Sequence, residues 1–102
     1  MVHRIAFHAG AEAEIDELYE LLLAKAGATV AGHYVGGIYN LIESLRTFPE
    51  RGSLREGKVP GLRIIGYRHR VSIAFTVQKD VVYVLGVFYG GRDVQTLLED
   101  RT

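Results

Sequence analysis

Tyr67-Arg68-His69-Arg70-Val71-Ser72-Ile73-Ala74-Phe75-Thr76-Val77 is the stretch whose reading decides the fold. Its odd positions are mostly apolar, and its even positions, Arg68, Arg70, Ser72, Ala74 and Thr76, are polar or small. A repeat of two places alternate side chains on opposite faces, so the segment is expected to be an antiparallel strand with one buried face. By that parity His69 belongs with Val71, Ile73 and Phe75 as a core histidine, and Arg68 and Arg70 point to the other side. Gln78-Lys79-Asp80 then supplies a short turn. Val81 to Tyr89 is apolar on both faces, as a central strand is, and Gly90-Gly91 breaks it. Asp93 to Glu99 is expected to add one short helix, with Val94, Leu97 and Leu98 facing inward.

Upstream of the sheet, residues 49 to 61 hold three glycines, two prolines and five charges. They are expected to form an irregular loop, of a length that is often functional in a small domain. Before that loop the period becomes helical. Ile15, Leu18, Leu22 and Ala26 share one face of a first helix, with acids in its opening turns and Gly27 at its end. A second helix is expected from Thr29, whose hydroxyl can cap it. Its apolar stripe reads Val30, Tyr34, Ile38, Leu41, Leu45 and Phe48, and Pro49 stops it. Gly36-Gly37 inside that helix costs roughly 1 kcal/mol per glycine relative to alanine. Close approach of the neighbouring helix would compensate, and a kink is the competing reading. Residues 2 to 8 alternate weakly and are expected to be a first strand. The order is β-α-α-β-β-β with a short final helix: an α+β domain spanning residues 1–102, a helical hairpin on one face of a sheet. The sheet's other face is expected to meet solvent or a partner.

A chain of 102 residues supports one modest core. With 48% hydrophobic residues and two prolines it is globular in composition, and no apolar run approaches the roughly 20 residues of a membrane span. The start, Met-Val-His-Arg-Ile-Ala-Phe, lacks a signal peptide's apolar region. The absence of cysteine excludes disulfides and thiolate metal sites. A cytoplasmic protein fits these features. His3, His8 and His33 lack metal-binding spacing, so no metal or cofactor is expected. The formal net charge is zero, yet residues 11 to 20 carry five acids and no base, while residues 46 to 70 carry seven bases against two acids. An anionic partner would meet the second segment. A pI near 6.9 argues against general nucleic-acid binding.

The surplus of cations on the strands singles out Arg63, Arg68, Arg70 and Arg92, with Tyr89 where the last strand stops. The arginines can bind an anion, a phosphate backbone or acidic side chains of a protein. The alternative is a set of solvated charges that guard exposed strand ends. As a general acid or base Tyr89 would need nearby cations to lower its pKa from about 10. Otherwise it is an amphipathic aromatic with its hydroxyl in water. Tyr34 and Tyr39 on the second helix are read as packing residues.

Four segments in this order carry a resemblance: Leu45-Arg46-Thr47-Phe48-Pro49-Glu50-Arg51-Gly52; Gly61-Leu62-Arg63; the strand Tyr67 to Phe75; and Val87-Phe88-Tyr89-Gly90-Gly91-Arg92-Asp93. Together they resemble the RelE/ParE superfamily of toxins from type II toxin–antitoxin pairs over nearly the whole chain. The Phe-Pro-x-x-Gly helix ending and the Gly-Leu-Arg step look more like the ParE branch. That resemblance implies a toxin that binds DNA gyrase and stalls replication, held by a cognate antitoxin in a hetero-oligomer, with Arg63, Arg68, Arg70, Tyr89 and Arg92 as target-binding residues. ParE-like sequences often carry a histidine in the step that is Tyr89-Gly90-Gly91-Arg92 here. The alternative implied by the RelE branch is a ribosome-dependent mRNA endoribonuclease. There Arg63, Arg68 and Arg70 would neutralise the scissile phosphate and Tyr89 would transfer a proton. A degenerate member that pairs with its antitoxin without toxicity is a third reading.

Overall fold

The computed structural model describes residues 2–90 and 94–101. Strand β1 (Arg4–Phe7) leads into helices α1 (Ala9–Ala26) and α2 (Ala28–Ser44). There follow β2 (Ser53–Arg55), β3 (Leu62–Tyr67), β4 (Val71–Gln78) and β5 (Val81–Tyr89), then α3 (Val94–Leu97) and a single 3-10 turn, Glu99–Arg101. The strands form one sheet in the order β1-β5-β4-β3-β2, with β1 parallel to β5 and the other pairs antiparallel. Among the described residues no helix is long and apolar enough to cross a membrane.

The helical hairpin turns on Gly27, which ends α1 and begins α2 at φ 90, a left-handed value that favours glycine. Thr29, expected as the cap, therefore lies inside the helix. The side-chain cap is at the other helix: His8 caps α1, its ring Nδ1 accepting the Gly10 N–H at 2.9 Å. α1 buries Ala11, Ile15 and Leu18, and α2 buries Val35, Ile38 and Ile42, against Val71, Ile73, Val84 and Val87 of the sheet; Ala31 of α2 is buried as well. The buried face of α2 is thus rotated by about one residue from the expected stripe. Val30 and Phe48 are 49% and 66% exposed, whereas Ala31 is wholly buried. A ranking by hydropathy prefers valine to alanine, but a close helix crossing prefers the smaller side chain. Leu45 lies just beyond α2 and packs with Phe75 and Val82 in a second apolar cluster.

α2 runs unbroken through Gly36 and Gly37, so there is no interruption at the pair. Nor does a helix fill the space. A Cβ at Gly36 would meet nothing within 4 Å, while one at Gly37 would collide with the hydroxyl and ring of Tyr67 on β3. The sheet, not α1, requires the glycine.

Further expectations are corrected. The loop from 49 to 61 contains β2, which pairs with β3 through Ser53–Ile64, Leu54–Arg63 and Arg55–Leu62. The strand expected to run through Tyr67, His69 and Val71 is two strands. Arg68 and His69 form a turn between them, with φ values of 51 and 59, and both are exposed. His69 is therefore a turn residue and not a core histidine. The sheet's second face is covered by the chain itself: Leu62, Ala74, Leu85 and Phe88 pack under Val59 and Leu98, with Ile64 and Val94 beside them. Leu97, expected inside, is 40% exposed.

One irregularity sets which way the end of β5 faces. Phe75 pairs with Val84 and Ala74 with Gly86, so Leu85 is an extra residue, a β-bulge. Val82 and Val84 face the helices, and Leu85 and Phe88 face away. The bulge reverses the parity and returns Val87, and with it Tyr89, to the helix side. Without it, alternation would place Phe88 there.

Candidate target-binding surface

Across three strands, Tyr67 pairs with Val71 and Val71 with Tyr89, so the two tyrosines flank Val71 at one end of the sheet. The turn joining β3 to β4 carries Arg68 and Arg70 at that end, and the Gly90 N–H donates to the Arg70 carbonyl at 2.8 Å. Tyr34 comes down from α2. Its ring meets the Tyr67 ring edge-on, at 5.1 Å between centroids and 87° between planes. The Arg68 guanidinium lies 5.6 Å from the Tyr34 centroid and 5.4 Å from that of Tyr67. Each such contact is worth about 0.5–1 kcal/mol at an exposed site, and here they fix the direction of a long side chain.

Arg68 therefore leans over the helix side of the sheet, the side that Val71 occupies. Strand parity had put it opposite. The turn explains the difference, because positive φ at two successive residues redirects the side chain. Two non-glycine residues in this conformation cost roughly 1–2 kcal/mol each. An Asn-Gly pair would adopt the same turn more easily. The strain holds a cation and an imidazole at the tip.

The Tyr34 hydroxyl is buried and has no hydrogen-bond partner among the described residues. Burial raises its pKa above the ordinary tyrosine value, and Tyr89 and Tyr67 add to the rise. Arg68 and Arg70 oppose it.

Arg63 is not part of this group. It sits four residues before Tyr67 on β3, pairing with Phe75 and Leu54, which is about 13 Å away at a rise of ~3.3 Å per residue. Of the five expected residues, Arg68, Arg70 and Tyr89 are brought together, Arg63 is separate, and Arg92 lies outside the described residues. The Gly90-Gly91 step is half described, with Gly90 at φ 85.

Sequence reasoning missed the acidic side of the surface. Glu14, Glu17, Leu18 and Leu21 of α1 form, with Val87 and Tyr89, a groove of about 280 Å³. Glu14 falls three residues after Ala11 and four before Leu18, on the edge of the buried face of α1. An acid at that spacing was the available signal. Tyr34 and Tyr67 were also missed as site residues. Their alignment depends on α2 crossing β3 at Gly37, which no local pattern reveals.

Comparison with known proteins agrees with this architecture. No curated protein matches the sequence. Among solved structures, the chain is similar to one described as "Chromosomal ParDE TA system from P. aeruginosa", with 21% identity, 88% of this chain and 98% of the other covered, and a TM-score of 0.76. It is also similar to a mutant of the E. coli toxin RelE in the free state, with 17% identity, 99% and 95% coverage, and a TM-score of 0.66. At these identities the likeness shows the fold, that of RelE and ParE toxins. Residues 5–94 match the family described as "ParE toxin of type II toxin-antitoxin system, parDE". Over that span, most of its length, the chain belongs to the ParE toxins of type II toxin–antitoxin systems.

Proposed function

We propose that this chain, as one cytoplasmic toxin domain over residues 1–102, binds DNA gyrase and blocks replication, and that a cognate antitoxin neutralises it by covering its exposed apolar groove. The observation that carries the choice of binding over catalysis is the composition of the surface around Tyr89. A phosphodiester-cleaving site needs cations converging on one phosphate. Here Arg63 is a strand's length away, and the carboxylates of Glu14 and Glu17 line the groove that Tyr89 shares. Arg101 compensates the charge of Glu14, and the Glu17 carboxylate on the same groove as the supposed general acid disfavours a phosphate backbone. A protein surface with mixed charges and apolar side chains suits the same groove well.

Arg68, Arg70 and Tyr89 are the residues assigned to target contact, with Arg68 resting over the Tyr34 and Tyr67 rings; Arg63, further along β3, and Arg92 complete the proposed set. Tyr89→Phe is expected to keep most of the toxicity, because a contact residue needs the ring more than the hydroxyl. Arg68→Ala combined with Arg70→Ala is expected to weaken inhibition of gyrase supercoiling by roughly tenfold or more, the effect of losing one or two charged contacts at an interface. If Tyr89→Phe instead abolishes growth arrest, and the purified protein cleaves mRNA on ribosomes while supercoiling is untouched, the endoribonuclease reading replaces this one.

A further inference from the structure

Beyond Val84 the outer edge of β5 has no strand partner among the described residues: Phe7–Val84 is the last β1 pair, and the His8 N–H closes it by donating to the Val84 carbonyl at 2.9 Å. The bulge then presents the Leu85 carbonyl and the Val87 N–H to that edge. Glu14 meets the second of these, its Oε1 accepting the Val87 N–H at 3.0 Å. Arg101 meets the first, its Nη1 donating to the Leu85 carbonyl at 3.0 Å. The two side chains also bond each other as a fork on a fork, Nη1 to Oε1 at 2.8 Å and Nη2 to Oε2 at 3.0 Å.

The surroundings are shaped to a planar cation. The Arg101 guanidinium lies 5.6 Å from the centroid of the Phe88 ring. A Cβ at Gly10 would come within 2.6 Å of its central carbon, and one at Gly86 within 3.0 Å of Nη1. Two glycines, a carboxylate, a carbonyl and an aromatic ring thus bound a slot that matches a guanidinium in charge, shape and donor pattern. An ammonium would leave part of that pattern unmet. The slot is not sealed. The side chains of Arg101 and Glu14 keep 19% and 17% of their surface in solvent. One groove is lined by Glu14 and a second, with Thr76, Gln78, Tyr83 and Leu85, by Arg101. Segment 94–101 has its own apolar anchors in Leu98 and Val94, so the guanidinium is not its sole attachment.

We propose that this slot is an arginine-binding site, filled by the chain's own Arg101, that accepts a guanidinium from outside, such as an arginine side chain on a partner polypeptide, when Arg101 withdraws. The inference is independent of whether gyrase is the target.

Chemical rescue tests it. In the full chain, Arg101→Ala is expected to speed hydrogen exchange at the Val87 amide by about tenfold, the loss of roughly one hydrogen bond's protection, and to lower the melting temperature. Millimolar methylguanidinium should restore both saturably. Methylammonium at equal concentration should not, and neither ion should rescue Arg101→Ala combined with Glu14→Gln. Arg101→Gln, which keeps more of the aliphatic stem, serves the same comparison if the alanine variant does not fold. No saturable recovery, equal recovery with methylammonium, or recovery that survives Glu14→Gln would each overturn the assignment.

Discussion

Gly52→Ala is expected to lower the melting temperature by about 20 °C, from a loss near 4 kcal/mol at about 4–8 °C per kcal/mol for a domain of this size. Gly52 sits just before β2 at φ 75, where a side chain is strained whatever the space available. Here the space is missing as well. A Cβ would overlap the Ile64 carbonyl oxygen and come within 2.9 Å of its carbon and 3.1 Å of the Ile65 Cα. These are backbone atoms of β3, which cannot swing aside as a side chain can. Relief requires β2 to lift from its partner, exposing an edge of the sheet. Left-handed strain contributes about 1–3 kcal/mol and overpacking about as much again. Gly27→Ala is the control. Its φ is 90, but nothing lies within 4 Å of the added carbon, so only the strain remains. Equal losses for the two variants in thermal or urea denaturation would refute the close approach of residue 52 to β3.

The second large effect separates adjacent residues. Gly36→Ala is expected to stabilise the protein by about 1 kcal/mol, the difference in helix propensity, because its Cβ position is open. Gly37→Ala gains the same propensity and loses more. The methyl group would take the place of the Tyr67 hydroxyl and push the ring off Tyr34 and from beneath Arg68. Losing the edge-on contact, the cation contact and ring burial outweighs the helix gain, for a net destabilisation of about 2 kcal/mol. Toxicity should fall further than stability does, because the Arg68–Tyr34–Tyr67 group is dismantled while the hairpin and sheet stay folded. If Gly37→Ala proves as stable and as toxic as Gly36→Ala, the Tyr67 contact has no weight in the site.

The hairpin and β4–β5 were legible because their patterns are long: one period for α1, another for β4, a continuous apolar run for β5. β2 was not legible because Ser53, Leu54 and Arg55 are all exposed, so burial wrote no pattern there and only pairing with β3 makes it a strand. The β3–β4 turn was hidden by arithmetic. Tyr67 and Val71 are paired across it and four residues apart, so odd positions stay on one face and the alternation continues through the bend. Neither glycine nor asparagine marks it. The site was legible as a surplus of arginine but not as a grouping. Distance along β3 removed Arg63, and the bulge at Leu85, marked in the sequence only by the neighbouring Gly86, decided that Tyr89 joins the helices.

The parallel pairing of β1 with β5 has a consequence in time. The Val87 N–H donates to Glu14 across 73 residues, and Arg101 reaches back 87 residues to the same carboxylate. Contacts this distant in sequence must overcome the entropy of closing most of the chain before they stabilise anything, and they slow folding. On the ribosome, β1 and α1 emerge early and have no sheet to join until β5 is made. The surface around Tyr89 therefore assembles among the last parts of the molecule. If that surface makes the proposed target contacts, the nascent chain lacks them until its synthesis is nearly complete.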